Sequence, residues 1–201
     1  VFEIPLTVSA FDSTKIEELG MISMDDLNML APGLQIGESS EMRDQGWVIR
    51  GIGSRLWGEN HSDQAVAFYV DGVYQYAPIG LAPGMFDIKR IEVARGPQGT
   101  LHGRNSIAGS VSWFNEKPTA DWDMNLVAEW TDQFSERYGV AFGGPLLGNL
   151  RFRFTGHYNK GEGTQKNIGP GPDLGAKDDL YHAEQLRYKS DKFDINLRYA
   201  K

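Results

Sequence analysis

Apolar and polar residues alternate along the second part of the chain, after Pro118. From Met124 to Trp130 the even positions carry Met, Leu, Ala and Trp, whereas positions 125 and 129 carry Asn and Glu. The same period of two recurs within residues 137–143, 150–158, 181–189 and 193–199. Successive side chains of a strand point to opposite faces, so this pattern predicts five strands that share an apolar face.

The connections between these predicted strands differ in length. Short turns are predicted at 132–135, 144–149 and 190–191, and a long polar loop rich in Gly and Pro at 160–179. Unequal connections and an apolar face with aromatic ends are typical of a membrane β-barrel. A soluble antiparallel meander with one buried face produces the same alternation. The pattern alone leaves both open, because five strands cannot close a wide barrel.

Residues 1–118 mix short helical and strand-like runs instead. Thr14 and Glu17 have capping-box spacing, which predicts a short helix, and Gly20 is placed to end it. A second helix is predicted to begin at Ser23 and to run to Ala31. Helices this short depend on packing against another element.

A hairpin is the clearest strand signal in this first part. Asp71 and Gly72 stand between two apolar runs, and both turn positions favour residues that tolerate positive φ. Further strands are predicted at 47–50, 65–70, 88–94 and 110–114. The fold class predicted is an α+β domain with a small mixed sheet over residues 1–118, followed by antiparallel strands over residues 119–201.

Charge and composition exclude several classes of function. The 201 residues include 20 Lys+Arg and 27 Asp+Glu, for a net charge of −7. Such a balance argues against nucleic acid as a partner, because phosphate binding needs clustered positive charge. The absence of cysteine excludes disulfides, thiolate metal sites and cysteine nucleophiles. No window of ~18 apolar residues predicts a transmembrane helix.

Motifs for catalysis or cofactor binding are incomplete. The segment Arg95–Gly99 lacks the Lys-Ser/Thr ending of a phosphate-binding loop, and Gly51-x-Gly53 lacks the third glycine of a dinucleotide fingerprint. His61, Ser62 and Asp63 are adjacent in sequence, which is not the geometry of a catalytic triad. The four histidines have no shared metal-ligand spacing. We therefore expect neither an enzyme nor a bound metal or cofactor.

One long motif carries a family resemblance. Residues 86–109, FDIKRIEVARGPQGTLHGRNSIAG, resemble the plug-domain signature of TonB-dependent outer-membrane receptors. Further stretches resemble the same family in matching order: Ile4–Val8, Ile16–Gly20, Asp25–Leu34, Val48–Gly53, Ala65–Tyr74 and Asn115–Pro118. Ala94, His102 and Ala108 stand where the family usually has a large aliphatic residue, Tyr and Gly. We regard these departures as packing changes.

The resemblance implies a plug domain at 1–118 and the first strands of an outer-membrane β-barrel at 119–201. It implies a bacterial receptor that binds a scarce nutrient, most simply a ferric siderophore. The nutrient would enter through a plug-gated barrel, driven by a TonB-type energy-transducing protein of the inner membrane. Outer-membrane lipid would surround the strands. A stand-alone soluble ligand-binding plug and a non-functional truncated remnant are the alternatives.

The resemblance also implies that the sequence is incomplete. Family barrels have 22 strands around a plugged lumen, whereas five are predicted here. Val1–Pro5 lacks the basic start and apolar core of a signal peptide, and no TonB-box segment is visible. We therefore expect this chain to be part of a longer receptor.

Two sets of site residues follow from the resemblance. Loops at 38–45, 54–64 and 74–84 would form the outward tips of the plug. Their cationic and aromatic side chains suit an anionic, partly aromatic chelate: Arg43, Arg55, Trp57, His61, Tyr74 and Tyr76. The charged residues expected to hold the plug against the barrel wall are Arg50, Arg90, Glu92, Arg95 and Arg104. Ordinary solvated loops and ion pairs within the plug are the respective alternatives.

Three further predictions concern the turns of the motifs, the partner of Arg95 and the apolar face of the later strands. The motif turns are predicted at Gly51, Asp71, Gly72, Gly96, Pro97, Gly99, Gly103 and Gly109. Arg95 ends a strand beside a rigid bend, so we expect it to pair with a carboxylate, either Glu92 or one on the barrel wall. One lipid-facing surface is predicted for Leu126, Trp130, Tyr138, Val140, Phe142, Phe152, Phe154, Ile195, Leu197 and Tyr199.

Overall fold

A computed structural model describes residues 7–22, 24–36, 47–54, 64–75, 85–97, 99, 105–131, 135–163, 166–171, 173 and 175–201. The chain forms two compact units, Val1–Asn115 and Glu116–Lys201. The predicted domain boundary lies after Pro118. The assignment of a plug and a barrel portion to the two sides of this boundary stays a prediction. Each unit has its own sheet.

The helices of the N-terminal unit are short. Helix α1 spans Ser13–Glu18, a 3-10 turn spans Met24–Asp26, and helix α2 spans Leu27–Leu30. No helix in the described ranges is long and apolar enough to cross a membrane. Asp12 caps α1 by accepting a hydrogen bond of 2.9 Å from the Lys15 amide. The predicted capping box starting at Thr14 is wrong, because Thr14 already lies inside the helix and a cap residue needs extended backbone.

The N-terminal unit contains two sheets. Their strands are β1 Thr7–Asp12, β2 Leu34–Ile36, β3 Trp47–Ile49, β4 Ile52–Ser54, β5 Val66–Val70, β6 Val73–Gln75, β7 Ile88–Arg95 and β8 Gly109–Asn115. The larger sheet has the order β1-β7-β8-β5-β6, and the smaller one the order β2-β3-β4. Strands β5 and β8 are parallel while every other described pair is antiparallel, so the predicted mixed sheet is confirmed in the larger sheet. The strand predicted at 47–50 belongs instead to the smaller sheet, whose pairs are antiparallel.

The core of this unit lies between the sheets and the helices. Ile91, Val93 and Val111 from the middle of the larger sheet are fully buried together with Leu27 and Ile49. Nearby, Trp47 packs on Phe68 with ring centroids 5.4 Å apart. These residues share one cluster, so the helices and both sheets stabilise one another through apolar burial.

The C-terminal unit is an antiparallel meander. Its strands are β9 Asp123–Trp130, β10 Ser135–Leu147, β11 Leu150–Gly161, β12 Lys177–Lys189 and β13 Asp194–Ala200. Each strand pairs with its neighbour in sequence. The turn predicted at 144–149 is wrong in extent, because β10 continues through Pro145 to Leu147 and only Gly148-Asn149 turns. A register shift between Pro145 and Leu147 accommodates the proline, which has no amide to donate to the ladder.

The two faces of this meander differ in burial, and the difference is the reverse of that in a sheet with one face on an apolar core. The pairing register confirms that the ten residues predicted to face lipid share one face. Leu126, Trp130, Leu197 and Tyr199 among them are each more than half exposed. On the opposite face, Arg153, Thr155, His157 and Gln185 are buried. Polar side chains are therefore covered and apolar side chains are not.

Candidate functional site

The predicted ligand-binding set is represented by one residue in the described part of the chain. Arg43, Arg55, Trp57, His61 and Tyr76 lie outside the described residues. Tyr74 is half-buried in β6, and its hydroxyl accepts a hydrogen bond of 2.9 Å from Nδ2 of Asn105. The ligand role of this set therefore stays a prediction.

Tyr74 belongs to a small aromatic and amide cluster. Tyr69 packs edge-on against Tyr74, with ring centroids 5.8 Å apart. Burial, and secondly the neighbouring Tyr74, raise the pKa of Tyr69 above its usual range. Asn105 has positive φ (68°) and is 7% exposed. Sequence reasoning missed it, although Asn tolerates this backbone region better than most residues.

Arg90 and Glu92 form an ion pair within strand β7. The Arg90 Nε to Glu92 Oε1 distance is 2.6 Å, and the Arg90 guanidinium stacks over the Phe114 ring at 3.7 Å. Residues two apart in a strand share a face, which brings this pair together. Both side chains are more than a third exposed, so the pair adds at most about 1 kcal/mol. A role for either residue at the barrel wall stays a prediction.

Arg95 has different neighbours from those expected. Its Nη1 donates to the Pro32 carbonyl and its Nη2 to the Ser9 hydroxyl, each at 2.9 Å. Glu92, one of the two carboxylates considered for it, lies three residues away in the strand and therefore on the opposite face. Arg95 thus connects the end of β7 to edge strand β1 and to the chain after α2.

Arg50 forms part of a tight turn. Arg50 and Gly51 have φ of 53° and 79°, the geometry of a type I′ hairpin between β3 and β4. The Arg50 amide donates to the Gly33 carbonyl at 2.8 Å, which ties this turn to the end of α2. Positive φ is uncommon for arginine, so no sequence signal marked this backbone conformation. Arg104 and Gly103 lie outside the described residues.

The Asp71-Gly72 turn has a second role beyond reversing the chain. Both residues have positive φ, 50° and 85°, as predicted. The Asp71 carboxylate accepts hydrogen bonds from the Asn115 amide at 2.9 Å and from Asn115 Nδ2 at 2.7 Å. The Asp71 amide in turn donates to the Trp113 carbonyl at 2.8 Å. This turn therefore fastens the last residues of β8, where the chain leaves the N-terminal unit.

Glycines shape the bend that follows β7. Gly96 has φ of 104°, and its amide donates to the Ala108 carbonyl at 2.9 Å. Gly109, with φ of 153°, begins β8 directly against the Ala94 carbonyl, where a Cβ atom would collide. Pro97 follows Gly96 directly, and no atom of the described residues lies within 4 Å of the position that a Cβ atom of Gly99 would take. The motif is a close-packed backbone crossing in this structure.

The polar face of the C-terminal sheet carries ion pairs that sequence reasoning did not identify. Arg153 Nη1 lies 2.8 Å from the Asp123 carboxylate, Arg187 binds Asp194 through two nitrogens, and Arg137 lies 3.1 Å from Glu129. These partners lie on neighbouring or next-but-one strands, so only the register brings them together. Within the described residues, no group of three or more His, Cys, Asp or Glu is placed to hold a metal.

The described residues form an α+β unit with a mixed sheet, followed by an antiparallel sheet that exposes an apolar face. A family model for the TonB-dependent receptor plug domain matches residues 1–110, and the chain belongs to this family. This match confirms the family resemblance of the sequence motifs.

Two receptors of Yersinia pestis are similar in sequence to most of this chain. The pesticin receptor of Yersinia pestis is 31% identical over 138 residues, which cover 69% of this chain and 20% of that receptor. The hemin receptor of Yersinia pestis is 29% identical over 176 residues, covering 75% of this chain and 24% of that protein. The chain therefore spans about a fifth to a quarter of the length of these relatives.

Solved structures show the fold. The ferric yersiniabactin uptake receptor FyuA from Yersinia pestis superposes with a TM-score of 0.81 at 24% identity, over 97% of this chain and 31% of that one. The predicted fold class, a plug followed by strands of an incomplete barrel, is confirmed. The family and its solved members belong to the bacterial outer membrane, which confirms the predicted localisation.

Proposed function

We propose that this chain is the plug and first barrel strands of an active-transport receptor that binds a ferric siderophore and admits it across the outer membrane. The observation that carries the proposal is the C-terminal sheet, which buries Arg153, His157 and Gln185 and exposes Leu126 and Leu197. Such a sheet is stable only with an apolar solvent on one side and polar surroundings on the other. In a stand-alone soluble module this arrangement would expose the apolar face to water, which is unfavourable.

The choice of an iron chelate is supported by the names of relatives. FyuA takes up ferric yersiniabactin, and another relative is a hemin receptor. The predicted ligand set, Arg43, Arg55, Trp57, His61, Tyr74 and Tyr76, offers cations and aromatic rings to an anionic chelate. We propose binding at the outer tips of the plug, without covalent chemistry.

Transport would use energy supplied by a TonB-type protein acting on the N-terminal segment. Strand β1 is an edge strand of the larger sheet and is held through its ladder with β7 and through the Ser9 contact of Arg95. An edge strand has one hydrogen-bonded neighbour, and β1 is the edge strand nearest to the N-terminal segment, so a pull on that segment would act first on the ladder between β1 and β7. We propose that rearrangement of the plug begins there.

Uptake of radioactive iron tests the proposal. The receptor carrying this chain is expressed in a bacterium that lacks its own siderophore receptors, and the probes are ferric yersiniabactin and hemin. Uptake that requires both the receptor and the energy-transducing partner is expected for at least one probe. Saturable uptake that continues without the partner contradicts gated active transport.

Arg95→Ala provides a variant for the same assay. Loss of the Ser9 and Pro32 contacts should loosen β1, because alanine has neither of the two donors. We expect impaired uptake or a leak while binding at the outer face survives. Arg95→Lys, which keeps the charge and loses the fork, serves as the matched control. Unchanged uptake and leak in Arg95→Ala, at normal expression, would show that Arg95 is a local turn residue only.

A further inference from the structure

The segment Glu116–Trp122, called the exit strap below, connects strand β8 to strand β9 and is fastened to the polar face of the C-terminal sheet. Gln185 of β12 donates from Nε2 to the Glu116 carbonyl at 2.8 Å. Gln185 is 4% exposed, and its Oε1 accepts from Nδ2 of Asn196 on β13 at 3.2 Å. The amide is therefore fixed between the strap and the neighbouring strand, and its donor has one defined direction.

Arg187, two residues further along β12, contacts the same strap. Its Nη1 lies 3.4 Å from the Pro118 carbonyl. Its Nε and Nη2 bind the two oxygens of Asp194 at 2.7 and 2.6 Å, so the fork holds the guanidinium in place while Nη1 faces the strap. Pro118 itself is fully buried. Two carbonyls of the strap thus have side-chain donors on one strand.

The other end of the strap is fixed at β10 and β11. Trp122 packs edge-on against Phe152, with ring centroids 5.7 Å apart, and lies over Gly144. A Cβ atom at Gly144 would come within 2.7 Å of the indole ring, so only glycine leaves the space. The next residue, Asp123, binds Arg153 and also accepts from the Thr119 hydroxyl at 3.2 Å. Both ends of the strap are therefore anchored.

The middle of the strap is held by a contact of its own. The chain bends at Ala120 and Asp121. The Thr119 hydroxyl donates to the Asp121 carbonyl at 2.8 Å, which stabilises this bend. A residue between the two anchors therefore follows a defined path.

We propose that Gln185 and Arg187 are positioning residues that keep the exit strap immobile, so that the C-terminal end of the plug stays anchored while its N-terminal strand rearranges. This inference rests on the proposed transport function. It separates the molecule into a movable end at β1 and a fixed end at Asn115, where the Asp71 carboxylate already holds the last residue of β8.

A spin label on the strap tests the proposal. Lys117 is exposed and these 201 residues contain no cysteine, so Lys117→Cys carries the nitroxide in the detergent-purified receptor, with any cysteine outside them replaced by serine. An immobilised spectrum is expected. Gln185→Glu keeps the side-chain shape but replaces the donor with a carboxylate facing the Glu116 carbonyl. It should raise the mobile fraction on the order of tenfold, which corresponds to the loss of one buried hydrogen bond.

Two further variants keep the test decisive. Arg187→Leu removes the donor to the Pro118 carbonyl and should also increase the mobility of the label. A folding defect in one of the two variants therefore does not decide the result. Arg198→Gln is the matched control, because Arg198 lies on the same polar face and contacts Tyr181, not the strap. A mobile label in the parent protein, or equal mobility in the control and the two strap variants, overturns the proposal.

Conductance links strap mobility to gating without requiring a ligand. In planar bilayers with potassium chloride, Gln185→Glu should open more often than the parent receptor, and Arg198→Gln should not. A mobile strap with parental conductance would overturn the positioning role. If the receptor transports no iron chelate, the proposed function is wrong, but the spin-label spectra still test the role of Gln185 and Arg187. Failure of the proposed function and failure of this inference can therefore be told apart.

Discussion

The two units of this chain use the same alternation of apolar and polar residues in opposite ways. In the N-terminal unit, Ile91, Val93 and Val111 point into a shared core and are fully buried. In the C-terminal unit, Leu126 and Leu197 are exposed, whereas polar residues of the other face are covered. The alternation therefore shows only which residues share a face of the sheet. Which of the two faces is buried depends on what surrounds the sheet.

The difference also separates two sources of stability. Burial of apolar side chains from water stabilises the N-terminal unit. The C-terminal sheet is held by its backbone ladders and by ion pairs such as Arg153 with Asp123, and the side chains of its apolar face are exposed. The following experiments test this distinction, beginning with the largest expected effect.

Removal of detergent should affect the two units differently. We expect residues 116–201, alone or within the 201-residue chain, to aggregate in buffer, because a broad apolar face meets water. Residues 1–115 alone should remain monodisperse. Size-exclusion chromatography with light scattering measures both. A monomeric 201-residue chain without detergent would contradict the assignment of the exposed face to lipid.

A charge in the N-terminal core should unfold that unit. Val111→Asp places a carboxylate between Phe68 and Val93, at a position with 0% exposure. We expect a loss of more than about 4 kcal/mol in the free energy of unfolding, followed by urea denaturation of residues 1–115. Val73→Asp, at a position 63% exposed, is the matched control and should change little. Equal effects would show that Val111 is not in a cooperative core.

A charge on the outer face of the C-terminal sheet should matter only in lipid. Leu197→Arg should lower the stability of the receptor in lipid vesicles by about 2 kcal/mol, depending on the depth of this position in the bilayer. Ala200→Arg lies in the same strand on the polar face and serves as the control. Urea-induced release from vesicles, followed by tryptophan fluorescence, measures the loss. A larger effect for Ala200→Arg would reverse the assignment of the faces.

The smallest effect is expected at the Asp71 turn. Asp71→Asn keeps a residue that tolerates positive φ but replaces one acceptor of Asn115 with a donor, so we expect a loss of about 1–2 kcal/mol. Thermal unfolding of residues 1–115 measures this change. Asp71→Gly suits the turn and lacks both acceptors, so it should lose at least as much. A glycine variant as stable as the parent would show that the carboxylate has only a turn role.

Local pattern was sufficient for most elements of the fold. The Asp71-Gly72 hairpin, the strand at Trp47 and the face shared by Leu126 and Tyr199 follow from spacings of one or two residues. The turn predicted at 144–149 is too long, because the bulge in β10 accommodates Pro145 and the positive φ of the turn is at Gly148.

The site contacts depend on positions far apart in sequence. Arg95 reaches Pro32 and Ser9 across 63 and 86 residues, and Asp71 reaches Asn115 across 44. No periodicity or local propensity contains that information. The pairing of Arg90 with Glu92, by contrast, was accessible from their spacing, because residues two apart in a strand lie on one face.

The position of β1 has a consequence for how the molecule is made. Thr7 pairs with Arg95 and Asp12 with Arg90, so β1 is synthesised about 80 residues ahead of the strand with which it pairs. At ~5–20 residues per second, about 80 residues take ~4–16 s. During that interval β1 has an open hydrogen-bonding edge, whereas each strand from β10 to β13 follows the strand with which it first pairs. In the nascent chain β1 is therefore without its hydrogen-bonding partner until β7 has been synthesised.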